Sequence, residues 1–134
     1  MGKYFSIKEL TASDVAKKKG IKNEPNEAIK TNLNILIDQL DKIREKYGKP
    51  IYVNSGYRCE LLNKAVGGVK NSQHMLGCAV DITTRNVEED KKLYKLITEN
   101  FEYDQCIWEE VKGSKWIHYS YIRPNRKLKF TIRG

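Results

Sequence analysis

The chain has 134 residues, 40% of them hydrophobic, which is enough for one modest core and too little for several domains. Twenty-five Lys and Arg against 17 Asp and Glu leave a net charge of +8, which favours polyanionic partners. No stretch nears the roughly 20 apolar residues of a membrane span, residues 1–8 lack the long apolar core of a secretory signal, and three cysteines, an odd number, exclude a fully paired disulfide framework and point to reduced thiols.

Residues 5–20 predict one or two short helices. Ser6 and Glu9 have capping-box spacing, Ser13 can cap a second turn, and Gly20 is a natural stop. The clearest helix is predicted over 25–47. Pro25 suits its first turn, Ile29, Leu33, Leu36, Ile37, Leu40, Ile43 and Tyr47 recur at three- and four-residue steps, and Gly48 and Pro50 end it. Lys30, Asn34, Asp38, Lys42 and Glu45 make the opposite face polar, so one side is buried and the other solvated. A short strand over 51–54 leads into Ser55-Gly56-Tyr57-Arg58, and 60–66 reads as a helix ending at Gly67-Gly68. Residues 79–83 form a compact apolar strand interrupted by Asp81. A second amphipathic helix over 88–100 takes Asn86 as its cap and buries Leu93, Leu96 and Ile97. Residues 103–109 and 116–122 are β-rich and separated by 110–115, which contains Gly113 and Ser114, so they read as a hairpin. Residues 128–132 add a last short strand. Helices first and strands late predict one α+β domain over 1–134: a small, mostly antiparallel sheet with helices packed on one face.

Any histidine chemistry must use His74, His118 or both, because there are no others. His74 and Asp81 stand seven positions apart with Gly77 between them, which permits a turn from His74 into a strand that returns Asp81 to the same point. His118, on a distant strand, would complete a set of two imidazoles and one carboxylate, the donor types of a catalytic zinc ion that keeps one position open to water. A carboxylate within Cys78-Ala79-Val80-Asp81-Ile82 is costly to bury unless it is paired or bound to a cation. Spacing alone leaves a second reading open, in which His74 is a loop residue, His118 faces water and Asp81 pairs with an arginine.

The ordered set Ser72-x-His74-x-x-Gly77-x-Ala79-x-Asp81, then a glutamate, then Trp116-x-His118 resembles the zinc D-Ala-D-Ala peptidases. That group includes D-alanyl-D-alanine carboxypeptidases, vancomycin-resistance dipeptidases and phage L-alanyl-D-glutamate endolysins, and it is related to the hedgehog signalling domain. Ser55-Gly56-Tyr57-Arg58, Leu62-Asn63, Val66-Gly67-Gly68 and Asp104-Gln105 also resemble the carboxypeptidase-domain branch, so the likeness runs from Phe5 to about Ile122. It implies one Zn²⁺ held by His74, Asp81 and His118, with Glu109 as general base. It also implies that Arg58 polarises the scissile carbonyl and that Ser72, with Arg58, helps hold substrate. Glu110 is the rival base. Strand alternation sends it and Glu109 to opposite faces, and the spacing from Asp104-Gln105 favours Glu109.

The activity this implies is hydrolysis of an amide in peptidoglycan stem peptides, with a D-Ala-D-Ala carboxypeptidase-like cut expected. The alternatives are an L-Ala-D-Glu endopeptidase of endolysin type and a non-catalytic zinc-containing binding module. The basic stretches 17–19 and 123–129 read as solvated faces or as attraction to anionic cell wall. A nucleic-acid partner has charge but no motif in its favour. The expected partner is therefore the peptidoglycan peptide, with no membrane span and a monomeric state. Synthesis in the cytoplasm with action on the wall after release or export is expected, a phage or prophage route being one way. Cys78 lies close in sequence to the proposed ligands, where a thiolate could compete for zinc, but a small buried hydrophobe is expected there, as at Cys59 and Cys106. Trp108 and Trp116 either line a cleft or pack the sheet, and Tyr119 and Tyr121 alternate with His118 and Ser120.

Overall fold

Polar side chains open four of the five helices in the computed structural model, which describes residues 2–122 and 124–133. Arg123, which begins the second basic stretch, lies outside the described residues, as do Met1 and Gly134. The Glu9 and Ala16 N–H groups donate to Ser6 Oγ and Ser13 Oγ, starting α1 (Ile7–Thr11) and α2 (Asp14–Lys19). Helix α3 (Glu27–Tyr47) starts two residues later than the periodicity predicts. The Asn26 side chain accepts the Ile29 N–H at 2.9 Å, so Asn26 is the cap and Pro25 stands before it rather than inside the first turn. Helices α4 (Glu60–Ala65) and α5 (Val87–Asn100) follow the prediction closely, and Asn86 caps α5 through the Glu89 N–H.

Five strands form one sheet in the order β1-β2-β4-β3-β5, comprising β1 (Tyr52–Ser55), β2 (Ala79–Thr83), β3 (Gln105–Val111), β4 (Ser114–Ser120) and β5 (Leu128–Arg133). All neighbours run antiparallel except β5, which lies parallel to β3. The fold is thus α+β with a mostly antiparallel sheet. The β3–β4 hairpin is tighter than the sequence predicts. Its turn is only Lys112-Gly113, with φ of +50° and +84°, the mirror-image turn whose twist suits a two-residue hairpin. Lysine rarely takes a positive φ, so the turn is not apparent from residue types, and both strands are displaced by two residues.

Alternation along the strands divides the sheet. Val80, Ile82, Cys106, Trp108, Ile117 and Tyr119 face the buried stripe of α3 (Leu33, Leu36, Ile37, Leu40, Ile43) and Leu93 and Ile97 of α5, forming the core. Burial of each such aliphatic side chain contributes about 1.5–3 kcal/mol. The opposite face, carrying the intervening residues, is bordered by the segment 66–69 that follows α4 and by a 3₁₀ turn over Gln73–Leu76.

Candidate active site

Sheet register brings the first two site residues together. Asp81 of β2 is directly opposite His118 of β4, His118 is opposite Ile107 of β3, and Glu109 of β3 is opposite Trp116. All five therefore share the sheet face away from the core. His74 arrives from the 3₁₀ turn, where its N–H donates to Ser72 Oγ at 3.1 Å. Gly77 closes that turn with φ +75°, and a Cβ there would stand 2.9 Å from both the carbonyl oxygen and Cγ2 of Ile29, so the turn seats against α3 only because residue 77 is glycine. The Ser55–Arg58 segment crosses the same turn, where Arg58 N–H donates to the His74 carbonyl at 3.1 Å.

The hydrogen bonds fix what His74 presents. Its Nδ1 is 2.8 Å from the Gly56 carbonyl, which can only accept, so Nδ1 carries a proton and Nε2 is the nitrogen turned toward Asp81. That Nε2 lies 3.3 Å from Asp81 Oδ1, and His118 Nδ1 lies 3.1 Å from the same oxygen. One ligand atom from each of the three residues falls within 4.8 Å of the others. Two imidazole nitrogens and a carboxylate oxygen converging on one point are the donor types of a catalytic zinc ion, so this set fits Zn²⁺. Burial pushes the Asp81 carboxyl up, but hydrogen bonds and charge from His118 and His74 outweigh burial and hold it well below the ordinary carboxylate range.

The two candidate bases separate as alternation requires. Glu109 faces the cleft, accepting the Trp116 indole N–H at 3.0 Å, and its pKa is raised by burial and then by the charge of Asp81. Glu110 accepts from Trp108 Nε1 at 2.8 Å and pairs with Arg133 at 3.3 Å on the other face. Arg58 lines the same cavity as Glu109 and the three ligands. Burial lowers its pKa while Asp81 and Glu109 oppose the shift, and its buried Nε has no partner among the described residues. Ser72 is buried, lines this cavity and caps the 3₁₀ turn. Trp116 lines the cleft, whereas Trp108 packs in the core edge-on to Tyr94. Cys78 does not join the ligand cluster: it lines a separate depression with Asn32, Ile35, Tyr121 and Ile122, and burial pushes its thiol pKa up. All three cysteines are free, Cys78 and Cys106 being buried.

Two supporting groups escape sequence reasoning. Asn23 holds the Arg58 segment. Its amide donates to Tyr57 and Thr11 carbonyls at 2.8 and 3.0 Å, and its oxygen accepts the Cys59 N–H at 2.8 Å. Asp104, fully buried, accepts from Gln73 Nε2 at 2.7 Å and from Arg126 through Nε, Nη2 and the backbone N–H at 2.8, 2.7 and 3.0 Å. It thereby couples the His74 turn to the segment that leads into β5. The only sequence signal for Asp104 is its place in Asp104-Gln105, and Asn23 has none.

The Arg126 hydrogen bonds, joined by that of Gln73 and opposed by burial, hold Asp104 down to about 2, against an ordinary 3.8. A depressed carboxylate contributes stability above its unfolded value and loses it as pH falls through the folded one. Asp104→Ala should therefore cost about 2–3 kcal/mol at neutral pH, below the figure for a fully buried pair because Arg126 is half exposed. In thermal melts the gap between variant and parent should narrow steadily from pH 5 to pH 2. A gap independent of pH would remove the ionic account.

Two histidines and a carboxylate on the open face of an α+β sheet, beside a glutamate and an arginine, are the groups a metal-dependent hydrolase requires. Residues 3–120 match peptidase M15, and the chain belongs to that family. A segment of 54 residues is 41% identical to the zinc D-Ala-D-Ala carboxypeptidase of Streptomyces albus G, a match covering 40% of this chain and 21% of that protein. The chain spans about a fifth of that relative's length. It carries a peptidase M15 domain, and among the described residues His74, Asp81 and His118 are placed so that they could hold one metal ion.

Proposed function

We propose that the protein hydrolyses an amide bond in the stem peptides of peptidoglycan, by a D-Ala-D-Ala carboxypeptidase-like cut. The supporting observation is the convergence of His74, Asp81, His118, Glu109 and Arg58 on one cavity of about 610 Å³. His74, Asp81 and His118 would hold the zinc ion, which would supply a Lewis acid and lower the pKa of a bound water toward neutrality. Glu109, made more basic by its surroundings, takes a proton from the attacking water and returns it to the leaving amine. Arg58 offers its guanidinium to the oxyanion that develops on the scissile carbonyl, and Ser72 helps hold the peptide. A module that only bound zinc would need neither Glu109 nor Arg58. The charge of +8 and the exposed Lys17-Lys18-Lys19 of α2 favour approach to an anionic wall. Cytoplasmic synthesis followed by release or export fits three free thiols.

One observation favours the endopeptidase reading. A second cavity of about 390 Å³, lined by Ser13, Asp14, Asn54 and Ser55, shares Arg58 and Asp81 with the first. Room beyond Arg58 and Asp81 admits a chain that continues past the scissile bond. Mass spectrometry of purified peptidoglycan fragments, incubated with and without chelator, separates the two. Release of single alanine supports the carboxypeptidase cut and internal cleavage the endopeptidase. Fragments left intact by the zinc-loaded protein would sink both.

A further inference from the structure

Strand β5 lies beyond residues 3–120, the part of the chain that matches the family, yet it builds part of the cleft. Parallel pairing places Phe130 beside Ile107 and Ile132 beside Glu109, so both side chains share the face that carries the ligands. Leu128, Phe130 and Ile132 are 38%, 43% and 41% exposed, an apolar stripe on an edge strand. Phe130 and Ile132 line the 610 Å³ cavity together with Ile107, Val111 and Trp116. An exposed apolar stripe continuous with a reactive cleft is where a substrate side chain gains most from leaving water.

We propose that Phe130 and Ile132 form a specificity wall that receives an aliphatic side chain of the substrate residue two positions from the scissile amide. This rests on the peptidase reading and adds to it the class of residue selected. Strands are spaced about 4.8 Å apart, so Ile132 stands roughly 5 Å from the Glu109 strand and Phe130 roughly 10 Å from the His118 strand, measured across the sheet. An extended peptide advances about 3.3–3.6 Å per residue, so these distances span about one and a half to three residues and centre the wall on the second residue from the bond being cut. The wall carries no charged side chain, so an aliphatic group fits it and a short polar one gains nothing. The carboxylates in the cleft, Glu109 and Asp81, are engaged with Trp116 and the two histidines.

The test uses the zinc-loaded full chain and synthetic stem-like peptides that differ only at that position, carrying norleucine, alanine or serine. The wild-type protein should prefer norleucine to serine by at least about tenfold in kcat/KM, the low end of what added methylenes confer in an apolar pocket. Phe130→Thr combined with Ile132→Thr should bring the ratio within about twofold, while Phe130→Leu should keep most of it. Threonine is chosen because its β-branch suits a strand, and circular dichroism with zinc content checks that fold and metal survive. A wild-type protein that cuts all three peptides equally, or a double variant that keeps the preference, overturns the wall alone. No cleavage of any peptide by zinc-loaded protein overturns the peptidase reading and the wall with it. A dimer in sedimentation experiments that the double variant dissolves would assign the stripe to a second copy of the chain and overturn the proposal.

Discussion

Glu109→Gln should leave zinc content and melting temperature close to those of the parent while lowering kcat by about 10³-fold, within the 10²–10⁴ that a positioned acid–base group contributes. Glutamine keeps the shape of glutamate, and its amide oxygen can still accept the Trp116 indole N–H that fixes the side chain. What it loses is the ability to accept and return a proton. Glu110→Gln is the matched control, because that side chain is held by Trp108 and Arg133 on the core-facing side of the sheet. If Glu109→Gln retained full activity, the proton would have to move by another route and the base would be misassigned. If Glu110→Gln alone lost activity, the hairpin register in solution would differ by one residue, since a one-residue slip exchanges the two faces.

What the sequence disclosed follows from which interactions leave a periodic trace. The buried stripe of α3 was legible because Leu33, Leu36, Ile37, Leu40 and Ile43 repeat at the helical period, and the Ser6, Ser13 and Asn86 caps because capping depends on a neighbour three residues away. The hairpin was legible as a pair of strands but not in its turn, where Lys112 adopts a backbone conformation that its side chain does not advertise. At the site, spacing alone left His74, Asp81 and His118 open to two readings, and the ordered motif supplied the grouping. The pairing of Asp81 with His118 is a consequence of β2–β4 register, which no local pattern encodes. The bonds of Asp104 to Gln73 and Arg126, and of Asn23 to the Arg58 segment, join residues far apart in the chain through single side chains. Such bonds have neither period nor motif, so they become visible only when the chain is folded.

His118→Ala should abolish zinc binding at micromolar free metal and, with it, turnover. Loss of a group that merely supports a ligand typically costs 10–100-fold in metal affinity. Loss of one of three ligands should cost more than about 100-fold. The fold should survive, because the His118 side chain points into the cleft while Ile117 and Tyr119 on either side remain in the core. Metal analysis of the dialysed proteins and their thermal response to added zinc should give the same answer. A ligand that binds only the native state stabilises it by RT ln(1 + [L]/Kd), about 4 kcal/mol at a thousandfold excess over Kd. The parent should therefore melt higher as zinc is added and the variant should not. The parent's response should also weaken in acid, since imidazole and carboxylate must be deprotonated to bind metal. If His118→Ala kept its zinc and its thermal response, the third donor would have to be another cleft residue. Glu109 is the carboxylate placed to serve, and a glutamate tied to the metal in that way could not also be free to carry the proton.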